Sequence, residues 1–358
     1  MARSEANVAT GPWAVAEAAY PHGAVAQARV RFLLRYAILA PSGHNTQPWL
    51  FRAIGDAVEL RADRTRALPV VDPDDREMIV SCGAALATLR IAAEHFGHSP
   101  DVELLPDPGD EDLLARVSLA RGPAPGDGAD ELFDAIVERR TNRQAFEARD
   151  LPDALVAQLV ADAAHEGVAL HLVGGEARPA VAGLIAEGDR IQMADERFRR
   201  ELAAWVHPNR SPSGDGMRGY GFGFGDLASH AGPLMIRSFD LGRGQAAKDR
   251  ALAVGSPLLA VLATAADDPA AWLATGQALQ RVLLRARAAG AWSSYLNQPV
   301  EVPRLRTRLA EAIGRPGEWP QLVVRLGYGP PVEPEPRRPV DDVLLAEGGS
   351  RSGTSASR

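Results

Sequence analysis

Cysteine is nearly absent: Cys82 is the only one in 358 residues. A single thiol forms no intrachain disulfide and no cysteine-based metal site, so the composition points to a reducing, cytoplasmic setting. Long apolar runs are missing too. The longest, near Pro257 to Ala266, falls far short of the roughly 20 residues that cross a bilayer, and no hydrophobic stretch precedes Pro21 as a secretory signal would. There is no basic excess, since 39 Lys and Arg against 46 Asp and Glu leave a net charge of −7. That sign disfavours general binding to nucleic acid or an anionic membrane. His44, His207 and His230 lack metal-ligand spacing, and no G-x-S-x-G nucleophile elbow occurs. Gly219-Tyr-Gly-Phe-Gly-Phe-Gly225 follows no apolar strand and lacks the dinucleotide-binding spacing. Its alternating Tyr220, Phe222 and Phe224 suggest instead an aromatic flap, either over a planar ligand or packed on the surface.

What remains is a globular composition, 46% hydrophobic and 24% charged, in a length that suits about two domains. Apolar residues three and four apart predict an amphipathic helix over 24–40, stopped by Pro41. A two-strand ribbon, Trp49 to Ile54 and Val58 to Ala62, turns at Gly55-Asp56. A helix over 78–96 and strands near 102–105 and 117–120 complete a first half. The Pro/Gly-rich stretch Arg121 to Ala129 marks a boundary, placing the halves at 1–125 and 130–345.

The second half reads as helices over 130–140, 152–166 and 177–205, a glycine-rich segment 208–225, and then strands 258–264, 292–296 and 320–327 around helices 270–289 and 302–313. A strand is also expected at 168–173. Without strict βαβ alternation this pattern favours an α+β fold over a Rossmann sheet. The helix from Pro269 to Gly290 has the clearest periodicity and a glycine terminator. Residues 346–358 are Gly/Ser/Arg-rich, as in a disordered tail.

Three polar clusters are candidates for chemistry. Ala40-Pro-Ser-Gly-His-Asn-Thr-Gln-Pro-Trp49 sits between a helix end and a strand, either free to bond a ligand or satisfying its own backbone. Arg139-Arg-Thr-Asn-Arg143 gathers the charge-assisted donors a phosphate monoester requires, or else forms a solvated helix end. Pro336-Arg-Arg-Pro339 is an ordinary extended linker unless it folds back onto the second cluster.

The first cluster closely resembles the P-S-x-x-N-x-Q-P-W signature of the flavin-dependent nitroreductase family. Arg139-Arg-Thr-Asn-Arg-Gln-Ala-Phe146, the final strand Leu322 to Tyr328 and Pro336-Arg-Arg-Pro-Val340 resemble that family's R-R-S-x-R-x-F start and R-x-P ending. The double-length layout resembles the Acg-like, fused two-domain subgroup. That resemblance implies a nitroreductase-like, three-layer α/β/α fold with two fused half-domains forming an internal pseudo-dimer, and a lid insertion at 206–250. Only the first half carries the turn and only the second carries the arginines, so one FMN per chain is expected between them.

The resemblance assigns the phosphate to Arg139, Thr141, Arg143 and Arg338, with Arg140 and Arg337 nearby. It assigns the ring and ribityl chain to Pro41, Ser42, Gly43 and Asn45. Ala291-Trp-Ser-Ser294, with Ser293 and Ser294, matches the segment whose amides approach flavin N5 and O4. The implied reaction is ping-pong hydride transfer from NAD(P)H through FMN to a small-molecule electron acceptor, a nitroaromatic or a quinone, with no acid or base side chain. Monomeric pseudo-dimers or weak homodimers are expected. If the lid seals the open face, the expectation changes to an FMN-binding or sequestering protein with little or no turnover. The third alternative is a flavin-free interaction protein.

Overall fold

The computed structural model describes residues 11–122 and 129–346. The core of the expected linker and nearly all of the expected tail therefore lie outside the described residues.

The first half consists of α1 (Ala26–Ala37), β1 (Trp49–Ile54), β2 (Ala57–Ala62), α2 (Arg76–His95), β3 (His98–Leu104) and β4 (Leu113–Arg121). The second begins with α3 (Ala129–Ile136), whose Leu132, Phe133 and Ile136 pack into the core of the first half, and continues with α4 (Asp153–His165), β5 (Ala169–Leu172), α5 (Ala177–Ala194), α6 (Glu196–Ala204), β6 (Val206–His207) and β7 (Met217–Arg218). Then come α7 (Asp226–Ser238), α8 (Gly242–Gly255), β8 (Leu258–Thr264), α9 (Pro269–Ala288), β9 (Trp292–Tyr295), α10 (Gln298–Glu301), α11 (Pro303–Ala312) and β10 (Trp319–Gly327). The chain closes with α12 (Val340–Val343) and β11 (Leu344–Leu345).

The two main sheets share one antiparallel plan. In space they run β1-β2-β4-β3 and β5-β8-β10-β9, with a long helix, α2 or α9, after the second strand of each. Only the first gains a further strand: β11 pairs parallel to β1 and carries the C-terminus back onto the opposite half.

The α/β/α layering is complete around the second sheet. In β8, Ala260 and Leu262 face α4 and α9, while Leu259 and Val261 face α5 and α11. A strand buried on both faces reads as a continuous apolar run, as Leu258–Thr264 does. The first sheet is covered on one face. Its outer face carries the ion pairs Arg52–Glu59 at 3.5 Å and Arg116–Glu59 at 3.1 Å.

The halves meet where α2 crosses α9. A Cβ added at Gly276 would lie 2.0 Å from the Val80 carbonyl oxygen, and one at Gly83 would lie 2.3 Å from that of Leu273. Only glycine at both positions lets the backbones come this close. The ends of α9 are set locally: the Asp268 carboxylate accepts the Ala271 N–H at 2.9 Å, Pro269 opens the helix, and Gly290 ends it at φ +82°.

Two expectations need correction. The helix over 177–205 is two helices, broken at Asp195, whose extended backbone and carboxylate cap α6 through the Arg197 N–H at 2.8 Å. The insertion is also longer than 206–250: all of 173–257 intervenes between β5 and β8 where the first half has the turn Gly55-Asp56, and it includes α7 and α8.

Candidate functional site

Each half offers a local feature to a shared cavity. After α1, residues 41–47 fold into a tight turn in which Ser42 Oγ accepts the Gln47 N–H at 2.9 Å. His44, Asn45 and Gln47 all hold positive φ, near 46°, 54° and 53°. Three such non-glycine residues in one turn cost energy, and such strain persists only where the surroundings fix it. Gly216 supplies its N–H to Asn45 O at 3.2 Å, and the Asn45 side-chain amide donates to Gly216 O at 2.9 Å and Pro336 O at 3.1 Å.

In the second half, Thr141 bridges parallel to Ser293 on the edge of β9, and the Asn142 N–H donates to Ser293 O at 2.8 Å. Arg325 of β10 holds the following residues by donating to Gln144 O at 2.9 Å and Asn142 O at 3.1 Å. The C-terminal strap folds back onto the turn: Arg337 Nη1 donates to Asn45 Oδ1 at 2.8 Å, and the Arg338 N–H donates to Gln47 Oε1 at 2.8 Å.

Between these parts lies a cavity of about 460 Å³, within the usual range for a small-molecule site. Pro41, Ser42, Gly43 and His44 line it from the first half, and Thr141, Arg143, Ser294 and Tyr295 from the second. Met217, Phe222 and Phe224 close one side.

The electrostatics at the arginine end are unusual. Arg139 is 2% exposed, and its one acceptor is Leu39 O, 3.0 Å from Nη2. The Nη2 of Arg337 lies 3.4 Å from the same oxygen. Arg139 Nε and Nη1, Arg337 Nε and the Tyr295 hydroxyl are buried with no hydrogen-bond partner. Arg139, Arg143 and Arg337 are all close enough to act electrostatically on the Tyr295 hydroxyl. Burial pulls the Arg139 guanidinium below its ordinary value, and burial together with the Arg139 charge does so more strongly at Arg337. Burial, with the Arg143 charge second, lowers His44 to about 4, so this imidazole is neutral at neutral pH. Buried cations without a counter-charge are costly, and an anion is the group that satisfies such an arrangement.

No protein-family model matches this chain. It is 33% identical over 322 residues to "Putative NAD(P)H nitroreductase Rv3131" of Mycobacterium tuberculosis H37Rv, covering 88% of this chain and 90% of that protein. It is 30% identical over 325 residues to "Putative NAD(P)H nitroreductase acg" of the same organism, covering 88% and 95%. The chain belongs to the nitroreductase family. Among solved structures it is similar to the FMN and NADPH-dependent nitroreductase NfnB from sphigopyxis sp. strain HMH, with 21% identity, a TM-score of 0.41, and coverage of 61% of this chain and 99% of that one.

In this nitroreductase-family chain the expected site residues divide into three groups. Pro41, Ser42, Gly43, Thr141, Arg143 and Ser294 line the common cavity. Arg139 and Arg337 are buried together at Leu39 O, and Ser293 is buried behind the Thr141 bridge.

Three others are placed elsewhere. Asn45 fastens the turn to Gly216, Pro336 and Arg337 and does not line the cavity. Arg140 lies over the Trp13 ring, 3.6 Å from its centroid. Arg338 is turned away to Gln47 O at 2.9 Å, Asp342 O at 2.8 Å and Asp63 at 3.5 Å, so Arg337 takes the inward place expected for it. In an extended strap neighbouring side chains point oppositely, and only the seating of the strap decides which one turns inward.

Sequence reasoning missed His44 as a wall and Tyr295 as a buried donor. The only available signal for Tyr295 was its place directly after Ser293-Ser294. It also missed Glu77, Asp189, Asp249 and Glu301, which line the cavity from four different helices. Among the described residues no group of three or more His, Cys, Asp or Glu side chains is placed to hold a metal ion, and no helix is long and apolar enough to cross a membrane.

Proposed function

We propose that the chain is an FMN-dependent oxidoreductase, an internal pseudo-dimer holding one flavin between its halves, taking electrons from NAD(P)H and passing them to an electron-poor acceptor. The observation that carries this reading is the set of buried, partnerless donors on Arg139, Arg337 and Tyr295 beside a cavity walled by both halves. A phosphate monoester brings the oxygens and charge those donors lack. Arg139, Arg143, Arg337 and Tyr295 would hold the phosphate with Thr141, and Pro41, Ser42, Gly43 and Ser294 would flank the ring system. When bound, FMN supplies the hydride chemistry between the two substrates.

The residues of the chain position and shield. Arg143, ion-paired to Glu335 at 3.1 Å and 5.7 Å from the Phe222 ring centroid, ties the arginine end to the flap. Phe222 and Phe224 exclude water from that side of the cavity. His44, neutral at working pH, contributes a dipole and no exchangeable charge. With Cys82 as its one cysteine the chain forms no intrachain disulfide, as suits a cytoplasmic protein.

A second reading, flavin holding with little turnover, draws on the flap. Tyr220 donates its hydroxyl to Pro334 O at 3.0 Å, and Glu335 accepts the Arg218 N–H at 3.3 Å, so the strap latches the aromatic segment over the cavity.

The visible spectrum of the purified chain decides between these readings. The expected result is one flavin per chain, bleached by NADPH or NADH and restored by menadione. Bleaching by dithionite but by neither nicotinamide selects the holding protein. Absence of flavin, with none gained on reconstitution, overturns both.

A further inference from the structure

The wall of the cavity built by α5, α8 and α10 carries two buried acceptors with no hydrogen-bond partner, Asp189 Oδ2 and Gln298 Oε1. Arg325 of β10 lines the same cavity and leaves its Nε unpaired. Asp189 is 3% exposed and lines the cavity, as do Asp249 and Gln298. One amide links the two acids, Gln298 Nε2 donating to Asp189 Oδ1 at 3.0 Å and to Asp249 Oδ2 at 2.9 Å. Gln245 Nε2 donates to the same Asp249 oxygen at 2.9 Å. Among the described residues neither acid is in an ion pair, although Arg325 and Lys248 line the same cavity.

The arrangement is rigid. A Cβ at Gly188 would lie 2.6 Å from Gln298 Cβ, so α5 rests directly on the linking glutamine. The adjoining wall is apolar, formed by Leu241, Leu252 and Ile236 with the rings of Phe222 and Phe224.

We propose that this acid-lined end of the cavity is a subsite for a flat organic cation bearing N–H donors, an aryl amidinium or guanidinium, with Asp189 and Asp249 as its counter-charges. An amidinium presents two parallel N–H groups and one delocalised charge, which match a buried carboxylate with a free oxygen better than a solvated ammonium does. Aromatic rings on the remaining wall suit its flat face. As the class of the electron acceptor, such a cation rests on the flavin reading above. As a ligand it does not.

Burial, with the Asp249 charge second, raises Asp189 to about 7. The charged groups acting on the pair are Arg190 of α5, Lys248 of α8 and Arg325 of β10. Glu301 of α10 is itself pushed to about 7 by burial, with Asp72 and Asp189 repelling its charge and Gln192 and Arg76 favouring it. Glu77 of α2 lies beside Glu301. Cation binding therefore strengthens as pH rises through this range, because deprotonation creates the counter-charge.

The test is calorimetric titration of the full chain, as purified, with benzamidine, with neutral benzamide and with benzoate, while flavin content is read from visible absorbance. The expected result is binding of benzamidine alone, about tenfold tighter at pH 8 than at pH 6, and lost in Asp189→Asn and in Asp249→Asn. Using two single variants keeps the test decisive if one fails to fold. Equal binding of benzamide and benzamidine, or benzamidine binding retained in a folded Asn variant, overturns the proposal. Selective benzamidine binding by a chain that takes up no flavin supports the subsite and sinks only the flavin reading.

Discussion

The two halves share a strand order and differ in what joins their first two strands. Between β1 and β2 stands the turn Gly55-Asp56, whereas between β5 and β8 stand residues 173–257 with four helices. They differ again at the end of the helix preceding the first strand. After α1 the turn 41–47 opens onto the cavity. After α4 the matching corner is closed: the Val168 N–H bonds back to Ala163 O at 3.2 Å, and Glu166 is held by Arg90 of α2 at 3.0 Å. Equal scaffolds thus carry unequal margins. A cavity needs a turn from one half and buried arginines from the other, and only one such combination exists among the described residues.

The largest effect is expected where the halves touch. Gly276→Leu drives a side chain into the backbone of α2, and the loss should exceed about 3 kcal/mol, read as a collapse of the urea midpoint or as insoluble protein. A variant of unchanged midpoint would mean that the halves do not depend on this crossing.

Next in size is a change that separates ligand binding from folding. Arg139→Met removes one charge-assisted partner of the proposed phosphate, worth roughly 1.5–3 kcal/mol, so FMN affinity should fall about tenfold or more. The flavin-free variant should be no less stable than the parent, because a buried, nearly unpaired charge is gone. A drop in flavin-free thermal midpoint together with unchanged affinity would reverse both assignments.

The acid end predicts a pH dependence of opposite sense to ordinary acid denaturation. Asp189 and Glu301 have folded values raised to about 7, above the unfolded carboxyl range near 4. The stability they contribute is complete below that range and is lost as pH rises through about 7. Thermal midpoints should therefore decline between pH 5 and pH 8, and Asp189→Asn should flatten the decline. A midpoint that rises over this interval would show that other groups dominate.

The smallest effect sharpens the contrast between neighbouring arginines. Arg338→Met should leave FMN affinity within about threefold while lowering stability by roughly 1–3 kcal/mol, since Gln47 O and Asp342 O lose a charged donor. Equilibrium dialysis with FMN and urea unfolding read the two quantities separately.

Much of this organisation was legible in the residues. The ends of α9 follow from Asp268, Pro269 and Gly290, and β8 was readable because a strand covered on both faces is apolar throughout. Helices α7 and α8 were not. Pro233 lies inside one, and Gly242, Gly244 and Gly255 lie in the other, so local propensity argued against helix and packing overrode it. The break at Asp195 escaped notice because apolar periodicity continues across it. The arginine end was visible as two short motifs, but the acid end was not, because its carboxylates are scattered over positions 77, 189, 249 and 301.

By itself the sequence determined the periodic elements, the polar turn and the two arginine segments, because each depends on residues close together along the chain. Only the tertiary structure decided that Arg337 turns inward while Arg338 does not, that the Tyr295 hydroxyl is buried near the arginines, and that Asp189, Asp249 and Gln298 meet on one wall. Those outcomes depend on how the strap and the lid helices seat against both halves, and such long-range packing leaves no local pattern to read.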